Sequence, residues 1–154
     1  MLIAAGGFTF YFYRPKKQKR TESIYTHALN AMVKGDTRTA LKHLRDVVKQ
    51  DTNHIDAYLQ MGDILREEGN AQAAVKIHQS LTVRPNLNND ISRDIHQSLA
   101  LDFKQIGHLN KAKREAELVL KLDRKNLWAN EFLLDIYENQ RNWDQATQIT
   151  KSIQ

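Results

Sequence analysis

No cysteine occurs in this chain of 154 residues, and only two prolines and six glycines do. Without thiols there is no disulfide framework and no thiolate metal site, so packing alone must hold the fold. So little Pro and Gly argues against a disordered chain and against an all-β one. A Gly-rich phosphate loop, an H-E-x-x-H zinc pair and a Cys nucleophile are also missing. The six His are scattered. "IHQSL" occurs at 77–81 and again at 95–99, but His78 falls late in one predicted helix and His96 early in another. No carboxylate joins them at ligand spacing, so both read as packing histidines and not as a metal site. Asp and Glu form no close acid/base pair. The expectation is a protein that is not an enzyme and takes no cofactor.

Charge of one sign is scarce except in one place. The formal charge is +5, yet Arg14, Lys16, Lys17, Lys19 and Arg20 stand together with no acid before Glu22. The remaining eighteen basic and eighteen acidic residues cancel. Nucleic-acid binding needs a basic face on the folded part, and none is indicated. A milder excess at Lys111, Lys113, Arg114, Lys121, Arg124 and Lys125 is interrupted by Glu115, Glu117 and Asp123, and reads as a solvated helix face.

The only long uncharged run is residues 1–13, rich in apolar side chains and ending in Phe8, Phe10, Tyr11, Phe12 and Tyr13. No charge precedes it and no small-residue cleavage site follows, which excludes a secretory signal. Cations directly after an apolar segment mark the cytoplasmic flank of a spanning helix, and aromatic rings favour the interface. Residues 1–13 are therefore expected to be a membrane anchor, with Arg14, Lys16, Lys17, Lys19 and Arg20 in a basic linker over 14–21. Thirteen helical residues reach about 20 Å, against about 30 Å of hydrocarbon. Either the bilayer thins locally or the segment begins upstream of Met1.

What the chain does have is a period. "GDTRTALKHL" begins at Gly35, "GNAQAAVKIH" at Gly69, "GHLNKAKREA" at Gly107 and "RNWDQATQIT" at Arg141. Ala40, Ala74, Ala112 and Ala146 keep the same offsets of 34, 38 and 34. Thirty-four residues is the tetratricopeptide unit of helix, turn and helix. In the second unit Tyr58, Met61, Gly62 and Leu65 give the first helix an apolar stripe at i, i+3, i+4 and i+7. Gly69 ends it, Ala74 is small where the helices cross, and Leu81 fills the junction to the next unit. The fold class is an all-α solenoid of four helix pairs, over about 22–53, 54–87, 92–125 and 126–154. The four extra residues before the third unit fall in "RPNLNNDIS", where Pro85 and the Asn cluster predict a loop.

A solenoid of this kind offers partners a concave surface lined by the first helix of each unit. That register selects Asp56, Leu59, Asp63, Arg66 and Glu67 in the second unit, Asp94, Gln97, Leu101, Lys104 and Gln105 in the third, and Trp128, Glu131, Asp135, Glu138 and Asn139 in the fourth. The first unit supplies Tyr25, Leu29 and Met32. The face is mixed to acidic, which argues against a clamp for carboxylate termini. Apolar Ile149 and Ile153 in the last helix occupy slots that a further helix would cover. The expectation is that more repeats follow, or that this edge pairs with another copy.

An apolar segment, a basic stop and immediate tetratricopeptide repeats resemble the lipopolysaccharide assembly protein B family of Gram-negative bacteria. The likeness is closest in "AVKIHQSL", "QSLALDFKQIGHLNKAKREAE" and "LLDIYENQRNWDQA". It covers residues 1–154 but only the first part of the family's length. The resemblance implies a scaffold at the inner membrane, single-pass, with its repeats facing the cytoplasm. It also implies partners: the deacetylase that commits lipid A synthesis, a membrane AAA protease and the lipopolysaccharide transport machinery. The family's C-terminal rubredoxin-like pair of Cys knuckles has no counterpart in a chain without Cys. The other function open to this architecture is a generic tetratricopeptide adaptor for a different membrane-associated complex.

Overall fold

A computed structural model describes the backbone of residues 3–153 and the side chains of residues 18–151. The described residues form eight helices and no strand: α1 (Ile3–Val33), α2 (Thr37–Gln50), α3 (Ile55–Glu67), α4 (Ala71–Thr82), α5 (Asn89–Gln105), α6 (Leu109–Leu122), α7 (Leu127–Asn139) and α8 (Trp143–Ile153). The chain divides into two compact units, Met1–Ile64 and Leu65–Gln154, which part inside α3.

The four predicted turns are one structure repeated. Gly35, Gly69, Gly107 and Arg141 all have positive φ, at 72°, 86°, 78° and 55°. At each, the N–H of that residue bonds the carbonyl three back, and the next N–H bonds the carbonyl five back. This is the Schellman closure, which satisfies helix carbonyls that would otherwise lack donors. The residue that completes it begins the next helix as well. Asp36, Asn70 and Asn142 each accept a backbone N–H three residues on, from Thr39, Ala73 and Gln145. His108 makes no such side-chain cap; its ring stacks on Phe103 at 6.4 Å, the apolar contact that often accompanies this closure.

Small residues sit where the period requires them. Ala40, Ala74 and Ala112 are fully buried and Ala146 is 6% exposed. In the first unit α1 packs on α2, whose Leu41, Leu44 and Val47 share one stripe; α3 contributes Ala57, Leu59 and Ile64 to the buried set. In the second unit α5 packs on α4 and α6, α7 on α6, and α8 on α7. Its core holds Leu81, Ile95, Leu99, Phe103, Val119, Leu133 and Ile136. Each such side chain contributes roughly 1.5–3 kcal/mol by leaving water.

One expectation needs correcting. The extra residues in "RPNLNNDIS" lengthen a helix and not mainly a loop. Eighteen residues separate the start of α5 from Gly107, against fourteen from α3 to Gly69 and from α7 to Arg141. Asn88 caps the added turn by accepting from Ile91 N at 2.8 Å, and Arg93 braces it on Asp90 at 3.0 Å. Asn serves loops and N-caps alike, which is why its cluster suggested a turn.

Among the described residues no helix is long and apolar enough to cross a membrane. The anchor expected over 1–13 and the cations Arg14, Lys16 and Lys17 lie outside the residues whose side chains are described; Lys19 and Arg20 are exposed on α1.

Candidate functional site

In the first unit, the register that selected Tyr25 and Asp56 brings them near each other. Tyr25 tilts against His54 with ring centroids 4.5 Å apart. Burial raises its phenol above the usual tyrosine value, and the charges of Asp56 and Glu22 add to that rise. Asp56 is exposed and Asp63 half-buried, but Leu59 is only 8% exposed and belongs to the core. Leu29 is exposed and Met32 half-buried.

The second unit gathers more. Lys104 on α5 reaches Asp135 on α7 at 2.6 Å, and Asn139 Nδ2 donates to the other oxygen of Asp135 at 3.1 Å. The same ammonium lies 5.2 Å over the ring of Phe132, on which Trp128 stacks at 4.9 Å. Four of the predicted residues, Lys104, Trp128, Asp135 and Asn139, thus meet, joined by Phe132, which the register had not selected. Gln97 and Leu101 are half-buried on α5, and Glu131 is exposed on α7. The Lys104–Asp135 pair is about half exposed and contributes at most about 1 kcal/mol. It orients a surface more than it holds a fold.

Arg66 behaves differently. Its side chain is 13% exposed, and its guanidinium donates to Asp102 Oδ1 at 3.0 Å. Asp102 is fully buried, and its second oxygen lies 2.6 Å from Nδ1 of the equally buried His78. An ionised carboxylate can only accept, which places a ring proton on Nδ1. Gln105 Nε2 adds a bond to the Arg66 carbonyl at 3.0 Å. The result ties the end of α3 to α4 and α5 through one buried charge. Arg66 is therefore committed inward. A His–carboxylate pair also occurs in hydrolytic sites, but no surface reaches this one.

The two histidines of "IHQSL" do have carboxylate partners, contrary to the expectation drawn from spacing. His78 meets Asp102, 24 residues on, and His96 Nδ1 meets Glu115 Oε2 at 2.7 Å across α5 and α6. Neither pair has a third ligand, and among the described residues no group of three or more His, Asp and Glu could hold a metal. A shallow depression of about 420 Å³ lies beside the α5–α6 turn, lined by Gly107, His108, Leu109, Asn110, Lys111 and Gln140. Nothing in that lining forms a nucleophile with a base.

No protein-family model matches the chain. Its sequence is 22% identical over 160 residues to lipopolysaccharide assembly protein B of Escherichia coli, and 24% identical over 170 residues to that of Haemophilus influenzae. Both alignments take in 99% of this chain but only 41% and 42% of those proteins. The chain thus spans about two fifths of the length of the curated relatives it matches. A crystal structure of MamA superposes with a TM-score of 0.76 at 21% identity, over 86% of this chain and 75% of that one. A tetratricopeptide repeat protein from Parabacteroides merdae gives 0.76 at 19% identity, over 88% of this chain and 52% of that one. These likenesses establish the fold as one shared with tetratricopeptide repeat proteins. None of these relatives bears the name of an enzyme.

Proposed function

We propose that this chain is a protein-interaction scaffold in lipopolysaccharide assembly. Residues 1–20 tether it to the inner membrane, and its repeats face the cytoplasm. The observation that carries this reading is similarity to lipopolysaccharide assembly protein B along 99% of the chain, on a fold that binds by surface and not by chemistry. The α5–α7 cluster of Lys104, Asp135, Phe132 and Trp128 supports it with a surface whose side chains are already ordered, which lowers the entropy cost of binding. Glu131 and Glu138 leave that surface acidic around the neutralised Lys104–Asp135 pair. The partners are those the resemblance implies, with the committing deacetylase of lipid A synthesis first. Self-association along α8, where Trp143 is 62% exposed, belongs to the same proposal.

The test places a photo-crosslinking residue at exposed Glu131 in the full chain, produced in Gram-negative cells. The expected result is a light-dependent adduct with the deacetylase, in membranes that retain the chain through a carbonate wash. Recovery of the chain in the soluble fraction would refute the tether. Adducts at Glu131 with none of the named partners would refute the partner assignment.

A further inference from the structure

One turn is built twice in this chain. Asp51 and Asp123 each follow a helix, with the backbone N–H bonded to the carbonyl four back and nearly equal backbone angles (φ −133°, ψ 97° and φ −142°, ψ 97°). Each carboxylate accepts the N–H two residues on, from Asn53 at 2.9 Å and Lys125 at 3.2 Å. His54 and Asn126 then cap the following helices, accepting from Ala57 N and Ala129 N at 3.2 and 3.0 Å. The side chains carried by the two copies differ. Where the first has Gln50, Thr52 and Asn53, the second has Leu122, Arg124 and Lys125. The turn itself therefore requires neither the cations nor the leucine.

In the second copy Lys121, Arg124 and Lys125 are exposed, and among the described residues no ion pair holds any of them. The one acid of the segment, Asp123, is half-buried and engaged by the turn itself. Its Oδ1 accepts from Lys125 N and its Oδ2 from Asn126 Nδ2 at 3.1 Å. Arg114 on the same exposed stripe of α6 offsets Glu117. Beside these charges Leu122 is 36% exposed and Leu127 56% exposed. At the corresponding positions the twin turn places Gln50 and half-buried Ile55, so the second copy alone sets exposed leucines beside cations.

Cations that attract anionic headgroups, together with apolar side chains that enter the acyl boundary, are the two components of interfacial binding. We propose that the α6–α7 turn is a docking tip for an anionic phospholipid bilayer. Lys121, Arg124 and Lys125 engage headgroup phosphates, while Leu122 and Leu127 seat beneath them. RNA would use the cations but leave both leucines in water. The inference does not rest on the tether of residues 1–20.

The absence of cysteine makes a single label simple to place. The full chain is prepared as Leu127→Cys bearing an environment-sensitive fluorophore, with Val83→Cys, at a position 84% exposed in the α4–α5 loop, as the control. Each is mixed with vesicles of phosphatidylcholine alone or with about one third phosphatidylglycerol. The label at 127 is expected to shift to the blue, and to be quenched by a lipid-borne quencher, only on anionic vesicles; the label at 83 is not. Adding R124Q/K125Q should lower the inserted-to-exposed ratio roughly 30-fold, at about a fivefold loss per cation. Equal responses on neutral vesicles, equal responses from both labels, or a response to single-stranded RNA and none to vesicles would each overturn the proposal. Sedimentation of the chain with neutral vesicles reports separately on residues 1–20.

Discussion

Replacing Asp102 by Ala tests whether the second unit is organised around a buried charge. The carboxylate is fully buried and accepts from Arg66 at 3.0 Å and from His78 at 2.6 Å. Its removal leaves the buried His78 nitrogen without that partner, a cost of about 1–3 kcal/mol. It also takes away the carboxylate that faces the Arg66 guanidinium, and breaking a buried ion pair from one side costs roughly 3–5 kcal/mol. Arg66 is 13% exposed and can swing partly toward water, which places the loss at the lower end, at about 3–4 kcal/mol. Total domain stabilities are only about 5–15 kcal/mol, so the effect is large. Urea unfolding followed by tryptophan fluorescence is the assay, because Trp128 and Trp143 are the only tryptophans and both lie in the second unit. The triple replacement Arg66→Met, His78→Leu, Asp102→Leu should recover most of the loss, since it removes all three polar groups of the broken pairing together. A loss below about 1 kcal/mol for Asp102→Ala, or no recovery in the triple variant, would refute the reasoning.

Three other outcomes follow from the geometry. Arg141 holds φ at 55°, where a side chain costs about 1–2 kcal/mol, so Arg141→Gly should stabilise by about 0.5–1 kcal/mol after glycine's entropy is deducted, read as a higher urea midpoint. Ala74→Leu puts a larger side chain at a fully buried position and should destabilise by about 1–3 kcal/mol; an unchanged melt would show that the repeat register is wrong. Tyr25 has a raised phenol pKa from burial first and from Asp56 and Glu22 second, so its contribution is intact below about pH 10 and is lost as pH rises through the folded value. Tyr25→Phe should flatten that alkaline loss in a pH series of thermal melts.

The turns were legible because they demand particular residues. Positive φ selects glycine, the crossing selects alanine, and together they recur at fixed spacing; even Arg141 was placed by its neighbours Asn142 and Ala146. The buried network was not legible. Asp102 lies 24 and 36 residues from its partners, and in sequence it looks like any helix acid. Arg66 and Leu59 were selected by register for the concave face, yet one turns its charge inward and the other is buried, because a three-residue step on a helix separates core from surface by less than a side chain's reach. The twin turn was legible in principle. Asp51 to His54 and Asp123 to Asn126 repeat the same spacing of an acid and a cap, 72 residues apart.

Two kinds of charge link neighbouring helices in the second unit, and they separate stability from recognition. The Asp102 network is dry, so any change to one member is felt as unfolding, and a lost partner interaction in an Arg66 variant would be uninterpretable. The Lys104–Asp135 pair is 40% and 49% exposed, so either residue can be replaced at a cost of about 1 kcal/mol or less. Surface function therefore has to be interrogated at Lys104, Glu131 and Asp135, with folding checked at Asp102. Charge reversal at both Lys104 and Asp135 keeps the pair while moving each sign to the opposite helix. A partner that reads only shape around Phe132 and Trp128 would tolerate the exchange, and one that reads the acidic edge of α7 would be lost.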